Sequence, residues 1–99
     1  MLKINKNLND KELTIALEGH LDTISAPELE TKLKNGLSGV ESLVMDLKGL
    51  EYISSAGLRV LLYAKKTMDK KGSMKIINVN EVVNEVFEVT GFIDILDIE

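Results

Sequence analysis

Tyr52-Ile53-Ser54-Ser55-Ala56-Gly57-Leu58-Arg59-Val60-Leu61-Leu62 changes character within a few residues: a strand-like end, two serines, then apolar residues at helical spacing. Ser54 is suited to be the N-cap of a helix running from about Ser54 to Lys70, its hydroxyl accepting from the N–H of Gly57. Ser55 is then the first helical residue, free of the capping bond and facing solvent. The predicted buried stripe is Gly57, Leu58, Leu61, Leu62, Ala64 and Met68, with Lys70, Lys71 and Gly72 as the C-terminal signal. Ser55, Arg59, Tyr63, Lys66 and Lys70 follow the 3.6 period along the opposite face, an exposed tyrosine among basic residues that reads as a docking stripe. Gly57 is expected to keep the surface beside Ser55 low, so that another protein can come close.

Working outward, Leu43-Val44-Met45 reads as a short central strand covered on both faces and ending at Asp46. Upstream, Leu2 and Ile4 alternate with Lys3 and Asn5, and Leu13, Ile15 and Leu17 alternate again. With turn chemistry at Asn7-Leu8-Asn9-Asp10 between them, the two segments predict a hairpin. A first helix is expected from Ser25, with Ser25 and Glu28 as a capping box and Pro27 in the first turn. Ala26, Leu29, Leu33 and Leu37 form its core face, Glu28–Lys32 and Glu30–Lys34 its i,i+4 pairs, and Gly36 or Gly39 its end. Downstream, Met74 to Val79 reads as a strand. Asn80 caps a third helix with core residues Val83, Val86 and Phe87 and Gly91 as C-cap. The tail Ile93 to Ile98 returns as a short strand or turn. The order β-β-α-β-α-β-α(-β) predicts an α/β fold: one domain over residues 1–99, with a mixed sheet of four to five strands and about three helices.

Composition narrows the functions available. At 99 residues, 44% hydrophobic and 28% charged, the chain has room for one modest core. A net charge of −4 and only four Tyr and Phe argue against a nucleic-acid face. The absence of cysteine excludes disulfides, thiol catalysis and zinc–cysteine sites. His20, the single histidine, has no triad partners and is expected in a turn or partly buried. No cofactor or metal is expected. No apolar run approaches the roughly 20 residues of a membrane span, and Met1-Leu2-Lys3-Ile4-Asn5 is not a signal segment, so the expected address is the cytoplasm.

Segments spread along the chain resemble the STAS domains, in particular the bacterial anti-sigma factor antagonists. Tyr52 to Leu62 resembles their Asp/Ser-Ser-small-Gly-Leu signature. Leu17-Glu18-Gly19-His20-Leu21-Asp22 with Ser25-Ala26-Pro27-Glu28-Leu29 is similar to their Gly-x-Leu-Asp segment and first helix. Val44-Met45-Asp46-Leu47 resembles their central strand, and Val89-Thr90-Gly91-Phe92 their late Thr-Gly turn. The resemblance implies partner switching. The unphosphorylated antagonist binds an anti-sigma factor that is itself a serine kinase, and so frees a sigma factor. The kinase then phosphorylates the helix-start serine with ATP, and a metal-dependent serine phosphatase resets the switch. The chain would be substrate and ligand, not enzyme.

The resemblance implies Ser55 as the phosphorylated residue, with Ser54 as the alternative, since Ser54 stands where many relatives carry Asp. Ala56 stands where many carry a second Ser or Thr, and Arg59 where several carry a small residue. The implied partner face is Asp22, Thr23, Ser54, Ser55, Ala56, Gly57, Arg59 and Tyr63. Asp22 and Thr23 read equally as a turn whose Asp satisfies local N–H groups. Asp46 stands at the expected strand end, where α/β sites commonly gather, but reads rather as ordering the loop that follows.

Other classes fit less well. A scaffold STAS module, such as a regulatory subunit of a transporter or signalling complex, shares the fold without the switch. An acyl carrier wants Asp-Ser-Leu and an all-helical body. A serine hydrolase wants Gly two residues before its nucleophile, where Ile53 stands.

Overall fold

The computed structural model describes residues 2–99. Its elements are β1 Leu2–Asn9, β2 Glu12–Leu21, α1 Ala26–Gly36, β3 Ser42–Ile53, α2 Ser55–Asp69, β4 Ser73–Ile77 and α3 Glu81–Thr90, followed by a 3-10 turn at Phe92–Asp94. The four strands form one mixed sheet in the order β1-β2-β3-β4. β1 and β2 are antiparallel, while β2–β3 and β3–β4 are parallel. The tail rejoins the sheet edge through a bridge between Ile76 and Ile98, as the apolar tail implied.

Register sorts the side chains. Leu13, Leu43 and Met74 lie side by side, as do Ile15, Met45 and Ile76, and all six are buried in one core cluster. Both crossovers, through α1 and through α2, step the same way across the sheet, and right-handed crossovers then put the two helices on one face. Val44 points to the other face, where it is buried but stands apart from the core cluster. Leu43, Val44 and Met45 are thus all buried, as the continuous apolar run predicted.

β3 is longer than expected and does not end at Asp46. Its register against β2 slips twice, between Ala16 and Glu18 and again between Gly19 and His20. Each slip inserts one residue and flips the alternation, so the buried positions run Leu47, Leu50, Ile53 instead of every second residue. Asp46 braces the first irregularity: its Oδ1 accepts from the Lys48 amide and from Asn78 Nδ2, both at 3.0 Å. The hairpin turn is tighter than expected as well. β1 continues to Asn9, and Asp10, at φ 58, makes the turn with Lys11.

The helices follow their patterns with three corrections. Ser25 stands at the N-cap of α1 but makes no side-chain cap bond, so the capping box is not formed. Lys34 pairs with Glu30 at 3.4 Å, whereas Glu28 and Lys32 are not among the ion pairs within 4.0 Å of the described residues. In α2 the buried face takes Val60 in place of Leu62, which is only half-buried. α1 ends at Gly36, and Lys71 Nζ donates to the Leu37 carbonyl at that end, so Lys71 serves the C-terminus of the neighbouring helix. α3 forms as predicted: Asn80 Oδ1 accepts from the Val83 amide at 2.9 Å, and Gly91 closes the helix at φ 81.

Candidate functional site

At the start of α2, Ser54 is the N-cap and its side chain accepts from the Gly57 amide at 3.4 Å, the arrangement expected from the sequence. The Ser54 amide donates to the Leu21 carbonyl at 2.9 Å, tying this helix start to the end of β2. Ser55 is the first residue of α2 and is exposed. Its hydroxyl therefore lies beside the unpaired N–H groups and partial positive charge of a helix N-terminus, an environment that stabilises an anion.

Beside it, the Asp22–Ser25 turn is built around one carboxylate. Asp22 Oδ1 accepts from the Ile24 and Ser25 amides, each at 3.0 Å. The Ser25 hydroxyl accepts from the Asp22 amide at 2.9 Å and donates to the His20 carbonyl at 2.8 Å. This is why Ser25 does not cap α1: its hydroxyl is spent on the turn, and the Asp22 carbonyl accepts from the Ala26 amide at 2.8 Å. The amide bond from Ser25, helped by the Ser25 hydroxyl and the Ile24 amide, holds the Asp22 carboxyl below its ordinary value of 3.8.

Thr23 from this turn, Ala26, Pro27 and Glu30 from α1, and Ala56, Arg59 and Val60 from α2 line an open groove of about 390 Å³. Of the predicted face, Thr23, Ala56 and Arg59 meet in this groove, and Asp22, Ser54 and Ser55 adjoin it along the chain. Two residues are placed otherwise. Gly57 is buried, and a Cβ there would lie 2.7 Å from Leu21 Cγ and 2.8 Å from Ile53 Cγ1. Its missing side chain lets α2 press onto the sheet, and the expectation that it lowers the outer surface is corrected. Tyr63 is half-buried against the core, with Lys34 Nζ 5.8 Å above its ring. It borders a separate hollow with Lys66, Thr67, Lys70 and Lys71, so the full exposure expected of this tyrosine is corrected too. His20 lies on β2, not in a turn, edge-on to the Tyr52 ring and 3.5 Å from a Glu51 oxygen.

Sequence reasoning passed over Ile24. The Asp22 turn holds it 90% exposed at its tip, next to Thr23 of the groove. An isoleucine inside an otherwise polar Asp-Thr-Ile-Ser turn was the available signal, since turn chemistry gives no reason for an apolar residue there.

The family model for the STAS domain matches residues 3–99. The chain belongs to the STAS domain family. Among its relatives, the putative anti-sigma factor antagonist BtrV of Bordetella bronchiseptica is 36% identical, over 98% of this chain and 85% of that protein. The anti-sigma-B factor antagonist of Bacillus subtilis is 32% identical, over 98% and 90%. The crystal structure of an anti-sigma factor antagonist from Mycobacterium paratuberculosis superposes with a TM-score of 0.89 at 19% identity, covering 99% of this chain and 85% of that one. As in that structure, the STAS domain here is a single small α/β unit. No helix among its described residues is long and apolar enough to cross a membrane.

Proposed function

We propose that this STAS domain is an anti-sigma factor antagonist that works in the cytoplasm and is switched by phosphorylation of Ser55. In its unphosphorylated form it binds an anti-sigma factor through the Asp22–Ser25 turn, the α1–α2 groove and the start of α2, and so releases a sigma factor. The anti-sigma factor is also the kinase. It transfers the γ-phosphoryl group of ATP to Ser55 Oγ, the hydroxyl proton is lost and ADP leaves. A serine phosphatase hydrolyses the phosphoserine: water takes the phosphoryl group as inorganic phosphate and Ser55 Oγ regains its proton. The STAS domain acts throughout as ligand and substrate, and the catalytic groups belong to its partners.

The observation that carries this reading is the division between the two serines: Ser54 is engaged at the N-cap while Ser55 is exposed one residue on. Phosphate on Ser55 adds about two negative charges at a helix N-terminus, which favours them by roughly 0.3–1 kcal/mol, so the fold survives the modification. Arg59, one turn along α2, is within reach of the same charge. A partner docked on the groove meets that charge directly, and binding is lost through desolvation and repulsion while the antagonist stays folded. The names of the two relatives quoted above support the same partner class.

The test is binding to the cognate anti-sigma factor by calorimetry. Wild type and Ser55→Ala should bind alike and Ser55→Asp should bind at least about ten-fold more weakly, a loss of about 1.4 kcal/mol. Equal binding by all three would instead mark a scaffold module without a phospho-switch.

A further inference from the structure

α3 carries an apolar stripe beside its core face, half-buried at Val86, which packs against the core, and exposed at Val82 and Val89. Val83 and Phe87 are fully buried, but Val82 is 57% and Val89 80% exposed. Val82, Val86 and Val89 lie at i, i+4 and i+7, hence on one flank of the helix, and Ile93 in the following turn is exposed as well. A single exposed valine means little, whereas a row along one helix is a surface that water solvates poorly.

Charge states what would cover it. Residues 76–99 contain Glu81, Glu85, Glu88, Asp94, Asp97 and Glu99 and no Lys or Arg. An anionic membrane surface is repelled by such a face, and so is nucleic acid. Two copies meeting α3 to α3 would set the same three glutamates against one another. The basic end of α2 on a second copy, Lys66, Lys70 and Lys71, offers charge, but none of the exposed large hydrophobic residues lies there.

We infer that the Val82–Val86–Val89 flank of α3, with Ile93 of the 3-10 turn that follows it, is a docking surface for a basic amphipathic helix of another protein, separate from the Ser55 face. The apolar side of that helix covers the valines while its Lys or Arg residues pair with Glu81, Glu85 and Glu88. The surface shares no residue with the α1–α2 groove, so occupancy of one leaves the other open and the antagonist gains a second attachment point.

The test is an NMR titration of the full ¹⁵N-labelled chain with three probes: a Leu/Lys peptide patterned as an amphipathic helix, the same pattern in Leu/Glu, and a scrambled Leu/Lys peptide. The patterned Leu/Lys peptide should cause saturable shifts centred on Val82, Val86, Val89 and Ile93. The other two peptides should not, and the exposed-site double variant Val82→Lys/Val89→Lys should weaken binding at least about ten-fold with its remaining spectrum unchanged. Shifts centred elsewhere, equal binding by the scrambled peptide, or self-association that Val89→Lys abolishes would overturn the inference; the last would identify a second copy as the occupant.

Discussion

The hydroxyl of Ser54 lies 3.4 Å from the amide nitrogen of Gly57, and that same glycine presses against Leu21 and Ile53 on the sheet side. The two residues thus close the first turn of α2 on its outer end and seat it on its inner side. The capping bond is long for an N–H···O contact, so it stabilises at the weak end of the usual range. Ser54→Ala should lower stability by about 0.5 kcal/mol and Ser55→Ala by less, measured by urea unfolding. A larger loss for Ser55→Ala would show that Ser55, not Ser54, holds the helix start.

Gly57→Ala sets two effects against each other. Alanine gains about 1 kcal/mol of helix propensity over glycine, but its methyl group would sit 2.7 Å from Leu21 Cγ, in the middle of a fully buried side chain. Overpacking of this kind costs about 1–3 kcal/mol, and the neighbouring atoms are not free chain ends. The variant should therefore be destabilised by roughly 1–2 kcal/mol in the same urea experiment. An unchanged or raised midpoint would mean that α2 can lift off the sheet without penalty.

Asp22 gives a pH dependence whose sign is fixed. Its carboxyl is held below 3.8 in the folded chain, so the unfolded chain binds the proton more readily. The stabilisation is fully present above the ordinary carboxylate value and is lost as pH falls through the lowered folded value. A ¹³C titration of the Asp22 carboxyl should show a midpoint below 3.8, and Asp22→Asn should lose less stability than wild type over that acid range. A midpoint at or above 3.8 would contradict the hydrogen-bonded turn.

Ile24 should matter to the partner and not to the fold. At 90% exposure it buries almost no surface within the chain, so Ile24→Asp should leave thermal stability within about 0.5 kcal/mol. Held out by a turn that is already ordered, it loses little entropy on docking, and its loss should weaken anti-sigma factor binding by about 1–2 kcal/mol. Unaltered affinity would move the contact surface away from the Asp22–Ser25 turn.

Most of the architecture was legible because local chemistry and tertiary packing agree. Leu13, Ile15 and Leu17 alternate and are buried together, and Asn80 and Gly91 bound α3 as their side chains dictate. Misreadings arose where one residue could do two things. Ser25 has the right type and spacing to cap α1, but the Asp22 turn claims its hydroxyl. β3 looked short because two register slips break the period-2 pattern, and Gly49, at the first slip and close against Glu18, was the available sign of a bulge. Within the site, Ser54 and Ser55 could be separated from helix-capping rules alone. Whether Gly57 and Tyr63 face a partner or the core depends on which element packs against α2, and spacing along one helix does not carry that information.

The direct measurement of the central claim is intact mass after incubation with the cognate anti-sigma factor kinase and ATP, for wild type, Ser54→Ala and Ser55→Ala, each first shown to be folded. Wild type and Ser54→Ala should each gain the mass of one phosphate and Ser55→Ala none. Full labelling of Ser55→Ala, or a wild type that gains no phosphate, would contradict the assignment of the switch to Ser55.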